Sequence, residues 1–565
     1  MKEVSTVHSG SPTAVSFHRI QLWLAAHPRW LLTLLVAALL GPMLAKPFNI
    51  DDPLFIWLAQ QVRAHPENPF GFSVNWYGQW LPMWAVTENP PLAGYYYALA
   101  SSLFGWSEVG LHWAAGLTAL AVVLGTYRLA AHFCSQPLLA ACAVLVTPIF
   151  LVSANTVMSD MLMLAFWVWA VVFWVEGLAQ NHAFKLCLSG GFIALALLTK
   201  YFGVALLPLL AAHGALQQRR FGGWVAALLL PLLVLGAYEW LTAALYGHAL
   251  FSGAAHFVSQ AHGKLGFSKL ASGSIALCFL GGGTAVVLAL APWLWRARTV
   301  VLTVGAAAVV GGWIYASQVL PKFGALEGPA RGLVAAQFVF WLAGGILVLS
   351  LSSEVRQTPR DHGAWLLALW LAGTFLFAGI GNWTVNGRSL LPLLPAVGIL
   401  MARRWERGRT KPPWALTTGL AAAAVLAVAV AESDFQTACA ARQSAGQVMA
   451  HYGQSNGVVW FEGHWGFQYY MEKLGAKSID FHNFNPQPED ILVLPLFNTY
   501  TSEPPPDLVT QRAVVSVPGP VGITSWHPAL GAGFYSSVTG PLPFGFGPVP
   551  AENIYVYHLK PKSTP

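Results

Sequence analysis

Apolar runs of roughly 17–24 residues recur along this chain, each long enough to cross a hydrocarbon core of about 30 Å at 1.5 Å per residue. Composition agrees. Of 565 residues, 56% are hydrophobic and 9% are charged, against about 25% charged in an ordinary soluble domain. Such a chain has too little polar surface to cover itself in water. Its 25 Trp and 16 Tyr supply material for interfacial belts. The formal charge of +7 sits in short clusters between apolar runs, the positive-inside pattern, which argues against nucleic acid as a partner.

The candidate spans are 29–46, 109–132, 136–153, 157–178, 184–199, 201–216, 222–245, 273–294, 299–319, 332–352, 363–381, 388–402 and 414–431. With the N-terminus cytoplasmic, every even-numbered connection is basic. They carry Arg128, Lys185, Arg219 and Arg220, Arg296 and Arg298, then Arg356 and Arg360, and finally Arg403, Arg404, Arg407, Arg409 and Lys411. The parity requires the region around Lys200 to be crossed twice. The sequence reading is therefore an all-α polytopic membrane domain of about thirteen transmembrane helices followed by a small C-terminal α/β extracytoplasmic domain. Residues 1–28 are a cytoplasmic amphipathic segment, 29–431 the transmembrane domain and 432–565 the C-terminal domain. The run Trp30–Leu44 lacks a clear small-residue cleavage site and reads as a signal anchor. The loop 47–108 lies outside, with surface helices expected at Leu54–Ala64 and Leu92–Phe104, and long ordered loops are usually functional. In the C-terminal domain, strands are expected at Gly457–Phe461, Ile479–Phe481, Ile491–Leu494, Val514–Val517 and Tyr555–His558, with a helix at Phe467–Leu474. The stretches 503–506 and 540–550 read as loops. Cys439 stands alone in this domain, which excludes an internal disulfide there.

Asn49-Ile50-Asp51-Asp52-Pro53 sets two adjacent carboxylates at the outer membrane boundary. They are either a solvated helix start with Asp52 as N-cap, or a base or metal-binding pair held above the bilayer. Glu88, before Asn89-Pro90-Pro91-Leu92, and Asp160, in Met158-Ser159-Asp160, add acids on the same face. Acids at an apolar boundary are expensive, so their convergence points to a site, although Ser159 or Asp160 also suits an N-cap. Cations on that face are Lys200, which can snorkel or pair with a phosphate, and Arg388, which breaks the positive-inside rule. The loop 247–272 adds His248, His256, His262, Lys264 and Lys269 as a mobile basic stretch able to cover a phosphorylated lipid, without metal-ligand spacing. In Trp460-Phe461-Glu462-Gly463-His464-Trp465, aromatics with polar neighbours suit either sugar stacking or a packed core. Glu462 and His464 are acceptor-contact candidates.

These motifs resemble GT-C-fold glycosyltransferases of the family-39 type, which include protein O-mannosyltransferases and aminoarabinose transferases acting on lipid A. The resemblance rests on Asp51-Asp52, Glu88-Asn89-Pro90-Pro91-Leu92, the Asp160 motif, Leu197-Leu198-Thr199-Lys200-Tyr201 and Asn386-Gly387-Arg388 before Leu390-Leu391-Pro392. It covers about residues 25–405. Asp52 stands where the family usually has Glu, and Glu88-Asn89 where a His or Lys is usual. The resemblance implies inverting transfer of a hexosyl or pentosyl group from a polyprenyl-phosphate donor to a lipid, glycan or protein acceptor. It makes Asp51 the base, with Asp52 and Asp160 also catalytic. It makes Glu88, Lys200, Tyr201 and Arg388 substrate-binding residues, and Lys264 of the basic loop 247–272 is a further substrate-binding candidate. A divalent cation is left open, as relatives differ. The short basic loops suggest a bacterial inner membrane. The rival readings are a transporter or flippase of lipid-linked sugars, which should carry its charges near the midplane, and a non-catalytic envelope scaffold.

Overall fold

The computed structural model describes residues 26–87, 89–218, 222–264, 268–317, 328–408, 411–506 and 508–560. Among these, seven helices are long and apolar enough to cross a membrane: Glu108–Ala130, Ser159–Gln180, Gly223–Tyr246, Ala297–Ser317, Ala330–Gln357, His362–Gly381 and Trp414–Tyr452. An eighth arises if Pro137–Leu145 and Pro148–Ala154, bent by 65°, form one broken span. The bend falls where Thr147 caps the second half and Pro148 cannot donate to the preceding turn. The chain is a multi-pass membrane protein. The other expected spans are occupied by shorter or interrupted helices. Pro28–Leu40 continues into a tight turn, Ala183–Thr199 stops at Lys200, and the stretch from Lys269 breaks at Gly283-Thr284. Helices Lys269–Gly283 and Gly328–Ser350 approach so closely that a Cβ on Gly281 or Gly345 would strike the opposite backbone, the small-residue contact that lets helices associate in lipid.

The last apolar helix does not end at 431. It runs from Trp414 to Tyr452, 39 residues, or about 58 Å at 1.5 Å per residue. Its far end therefore projects beyond a bilayer core. There Ala445 and Val448 pack against one face of a five-stranded mixed sheet. The strands run in the order Lys477–Ser478, Val459–Phe461, Ile491–Pro495, Glu552–Leu559, Val509–Val517. The first three are parallel and the last two pairings antiparallel. Helix Trp465–Lys473 covers the same face through Phe467 and Met471. The strand expected at Ile479–Phe481 lies two residues earlier.

Between Val517 and Glu552 the chain leaves the sheet. Despite its Gly- and Pro-rich sequence, this stretch buries Phe534, Tyr535, Leu542 and Phe544 in the membrane-domain core. It is pinned by Gly387 N–H to Phe534 O and Ser537 N–H to Val385 O, both 2.8 Å. The loop 247–272, expected to be mobile, instead forms a helix at Leu250–Lys264. In the loop 47–108, helices form at Asp52–Ala64 and Leu92–Phe104. The second starts after the Pro-Pro pair, which suits a first turn.

Candidate active site

The turn after the first span sets Ile50 at φ 49°. This left-handed conformation is unfavourable for a β-branched residue by roughly 1–2 kcal/mol, and Ile50 is buried. Strain of this kind persists only where surroundings enforce it. Gly466 is part of that enforcement, since a Cβ there would strike Phe48 O. The turn presents Asp51 and Asp52 in different directions.

Asp51 faces Arg388, whose Nη1 donates to its Oδ2 at 2.9 Å. The same Nη1 lies 3.8 Å from Asp160 Oδ2, while Lys200 Nζ donates to Asp160 Oδ1 at 2.5 Å. The result is an alternating chain of charges: Asp51, Arg388, Asp160, Lys200. Side-chain exposure is 29% for Asp51, 14% for Arg388, 23% for Lys200 and 2% for Asp160. Asp160 is thus the buried counterion, and Asp51 the carboxylate most open to solvent. Arg388 Nε is buried without a hydrogen-bond partner among the described residues, a donor left over for an anion. The Arg388 guanidinium also sits over the Tyr535 ring, 5.4 Å from its centroid.

Neither Asp52 nor Asp160 caps a helix. Asp51 occupies the N-cap position of the first-loop helix without a side-chain cap, and Asp52 is its first residue. The Asp52 carboxylate instead accepts from the backbone N–H of Asn49 at 2.9 Å and of Val157 at 2.8 Å. It ties the first loop to the turn before Asp160. Burial pushes this carboxyl up to about 7, against the pull of Lys46 and of those two amides. The helix carrying Asp160 begins at Ser159 and has no side-chain cap.

Behind this cluster lies a second one that sequence reasoning missed. Lys46 Nζ donates to Asp434 Oδ2 at 2.5 Å and to Asn155 O at 2.9 Å, with both charged side chains 2% exposed. Asp434 also accepts from Ser525 Oγ and Tyr535 OH, each at 2.9 Å. Tyr535 therefore joins the two clusters, its ring under Arg388 and its hydroxyl on Asp434. A Lys ending the first apolar run and an Asp ending the last were the available signal.

The remaining candidates scatter. Tyr201 shares a 3.2 Å hydrogen bond with Tyr238 OH. Glu88 lies outside the described residues, as does the side chain of Lys264, the last residue of its helix. Glu462 accepts from Ser502 N–H at 2.5 Å, and His464 packs against Trp76 with ring centroids 4.7 Å apart. Among the described residues neither forms an ion pair with Asp51, Asp160, Lys200 or Arg388. Burial pushes Glu462 up to about 7 and His464 down to about 3. The raised Glu462 favours folding fully below its unfolded value of 4.5, and this advantage fades as pH rises through about 7. The depressed His464 acts oppositely, losing stability as pH falls from 6.5 toward 3. In melting curves from pH 4.5 to 7, Glu462→Gln should make stability rise more, or fall less, with pH than in wild type, the opposing His464 contribution being kept. An unchanged profile would contradict the burial of this carboxyl. No group of three or more His, Cys, Asp or Glu suited to a metal ion occurs among the described residues.

The opposite end of the fold carries its own ion pairs. Arg128 and Lys185 converge on Glu176, and Arg403 meets Asp361. Asp160 and Glu176 share one helix, so the two charged layers lie about 24 Å apart along it. The Asp51–Lys200 chain thus occupies one end of the helices.

Residues 88–244 match the model of the family described as dolichyl-phosphate-mannose-protein mannosyltransferase, a stretch that holds Asp160 and Lys200. The chain is a membrane protein that resembles the GT-C glycosyltransferases of the protein O-mannosyltransferase and aminoarabinose-transferase type. No curated protein matches it. Among solved structures it is similar to ArnT from Cupriavidus metallidurans bound to undecaprenyl phosphate. That match has 15% identity over 82% of this chain and 92% of that one, with a TM-score of 0.41. It is also similar to the oligosaccharyltransferase AglB from Archaeoglobus fulgidus, in complex with an inhibitory peptide and a dolichol-phosphate, at 14% identity over 81% and 65% with a TM-score of 0.44. A third is the arabinofuranosyltransferase AftD from Mycobacteria, at 15% identity over 95% of this chain and 40% of that one, with a TM-score of 0.39.

Proposed function

We propose that this chain transfers a sugar from a polyprenyl-phosphate carrier to an acceptor on the extracytoplasmic face, with inversion at the anomeric carbon. The observation that carries this reading is the charge chain Asp51–Arg388–Asp160–Lys200 at one end of the helices. The thirteen-span topology, the C-terminal domain on the outer side and a bacterial inner membrane belong to the same proposal.

The chemistry divides among the four residues. Asp160, buried and anionic, holds Lys200 and Arg388 side by side. Their outward donors receive the carrier phosphate and stabilise the charge that grows as the anomeric C–O bond breaks. Arg388 supplies a planar fork and Lys200 a point charge. In the free protein Arg388 is paired with Asp51, which occupies one oxygen of that carboxylate. Arriving phosphate competes for Arg388 and releases Asp51. The acceptor O–H or N–H then attacks the anomeric carbon, its proton passes to Asp51, and the polyprenyl phosphate leaves with the bonding pair. Asp52 has both oxygens engaged by backbone amides and positions Asp51 rather than touching substrate.

The test is a transfer assay on purified full-length protein with radiolabelled polyprenyl-phosphate sugar. Arg388→Ala should lower kcat/KM by about 10²–10³-fold and weaken inhibition by free polyprenyl phosphate. Inhibition undiminished in that variant would remove the phosphate from Arg388.

A further inference from the structure

A groove of about 410 Å³ opens between the first-loop helix Asp52–Ala64 and helix Trp465–Lys473. One wall carries Trp57 and Gln60, the other Gln468 and Glu472, and the loop strands contribute Asn75 and Trp80. Its volume falls within the range of small-molecule sites, and no Lys, Arg or His lines it among the described residues. That lining does not suit a phosphate or another anion.

The polar groups are organised. Gln468, 1% exposed, donates from Nε2 to Asn75 O and to Glu472 Oε1, both at 2.8 Å. Those two acceptors fix the orientation of its amide. Its Oε1 is left buried without a hydrogen-bond partner among the described residues. That oxygen is shielded from the groove, so the polar groups open to a ligand are those of Gln60 and Glu472. Opposite this amide–carboxylate set, Trp80 is 57% exposed, and Trp57 stands edge-on to Trp76 at 6.1 Å. Flat apolar faces beside amide and carboxylate groups match one ligand chemistry, the neutral sugar. Its C–H faces stack on indole, and its hydroxyls both donate and accept.

The location adds direction. Along the first-loop helix, Trp57 lies about 8 Å and Gln60 about 12 Å beyond Asp52. The groove therefore leads away from the charge cluster by the length of a few sugar rings. We propose that it binds the neutral oligosaccharide part of the acceptor, so that the acceptor is a glycan or glycolipid head group rather than a protein. This inference rests on the transferase reading for the word acceptor, but sugar binding in the groove is measurable without turnover.

The experiment is binding of the purified full-length protein to an array of short neutral oligosaccharides, acidic oligosaccharides and peptides. The expected result is retention on neutral oligosaccharides, reduced about tenfold or more by Trp80→Ala and by Gln60→Ala. Both side chains are exposed, so melting temperature should hold. Asp51→Asn should bind the same oligosaccharides while transferring sugar about 10²-fold or more slowly. Retention on peptides alone, no retention on neutral oligosaccharides, or equal retention by Trp80→Ala would each overturn the proposal. If wild type binds oligosaccharides but never transfers, the transferase reading fails and the groove stands. If it transfers without binding them, the groove fails alone.

Discussion

Asp51→Asn is expected to lower kcat for sugar transfer by about 10²–10⁴-fold, the usual contribution of a positioned general base. The substitution keeps the shape of the side chain, and its amide oxygen can still accept from Arg388. Melting temperature should therefore change little. The more diagnostic readout is KM for the carrier. Arg388 in the free protein divides its charge between Asp51 and Asp160, so neutralising Asp51 leaves the guanidinium freer for a phosphate. KM for the polyprenyl-phosphate sugar should stay level or fall while kcat collapses. A role for Asp51 limited to holding Arg388 in place predicts the reverse, a raised KM with kcat largely kept. Wild-type turnover in Asp51→Asn would remove it from the chemistry.

Lys46→Met is expected to destabilise the folded protein by about 3–5 kcal/mol, the cost of leaving one member of a buried ion pair unpaired. Lys46 and Asp434 join the end of the first span to the long last helix, and Asp434 also anchors Ser525 and Tyr535. Removing the ammonium leaves a buried carboxylate facing two hydroxyls. Through Tyr535 the damage should reach Arg388, whose charge lies over that ring. Thermal unfolding in detergent measures the loss. The double variant Lys46→Met with Asp434→Asn should recover much of it, because the neutral amide no longer needs a cation and still accepts from the hydroxyls. A loss below about 1 kcal/mol, as for an exposed pair, would contradict the burial of this link.

How much of this was legible beforehand depends on the range of the interaction involved. Leu92–Phe104 appears with the bounds read from the sequence, because Pro-Pro and Gly105 punctuate it locally. Asp51, Asp160, Lys200 and Arg388 were grouped by the face on which loop charge placed them. Which carboxylate meets which cation has no local signature across 337 residues of separation. Lys46 and Asp434 escaped for the same reason, since hydropathy treats the polar end of an apolar run as a boundary. Asp52 read either as a helix cap or as a catalytic carboxylate, since an Asp before Pro at the membrane boundary suits both. The left-handed turn at Ile50 instead directs it toward Val157. The stretch 540–550 read as loop from its Gly and Pro content, yet it buries Leu542 and Phe544. Its paired backbone groups let it pack as core.

The central claim is that the sugar leaves its carrier at the Asp51–Lys200 cluster. It is tested most directly in liposomes holding the full-length protein and a radiolabelled polyprenyl-phosphate sugar confined to one leaflet, with an oligosaccharide acceptor outside. The account predicts that label passes from lipid to acceptor with wild-type protein and stays on the carrier with Asp51→Asn. Movement of intact carrier between leaflets, with its sugar still attached and equal rates in both proteins, would contradict it.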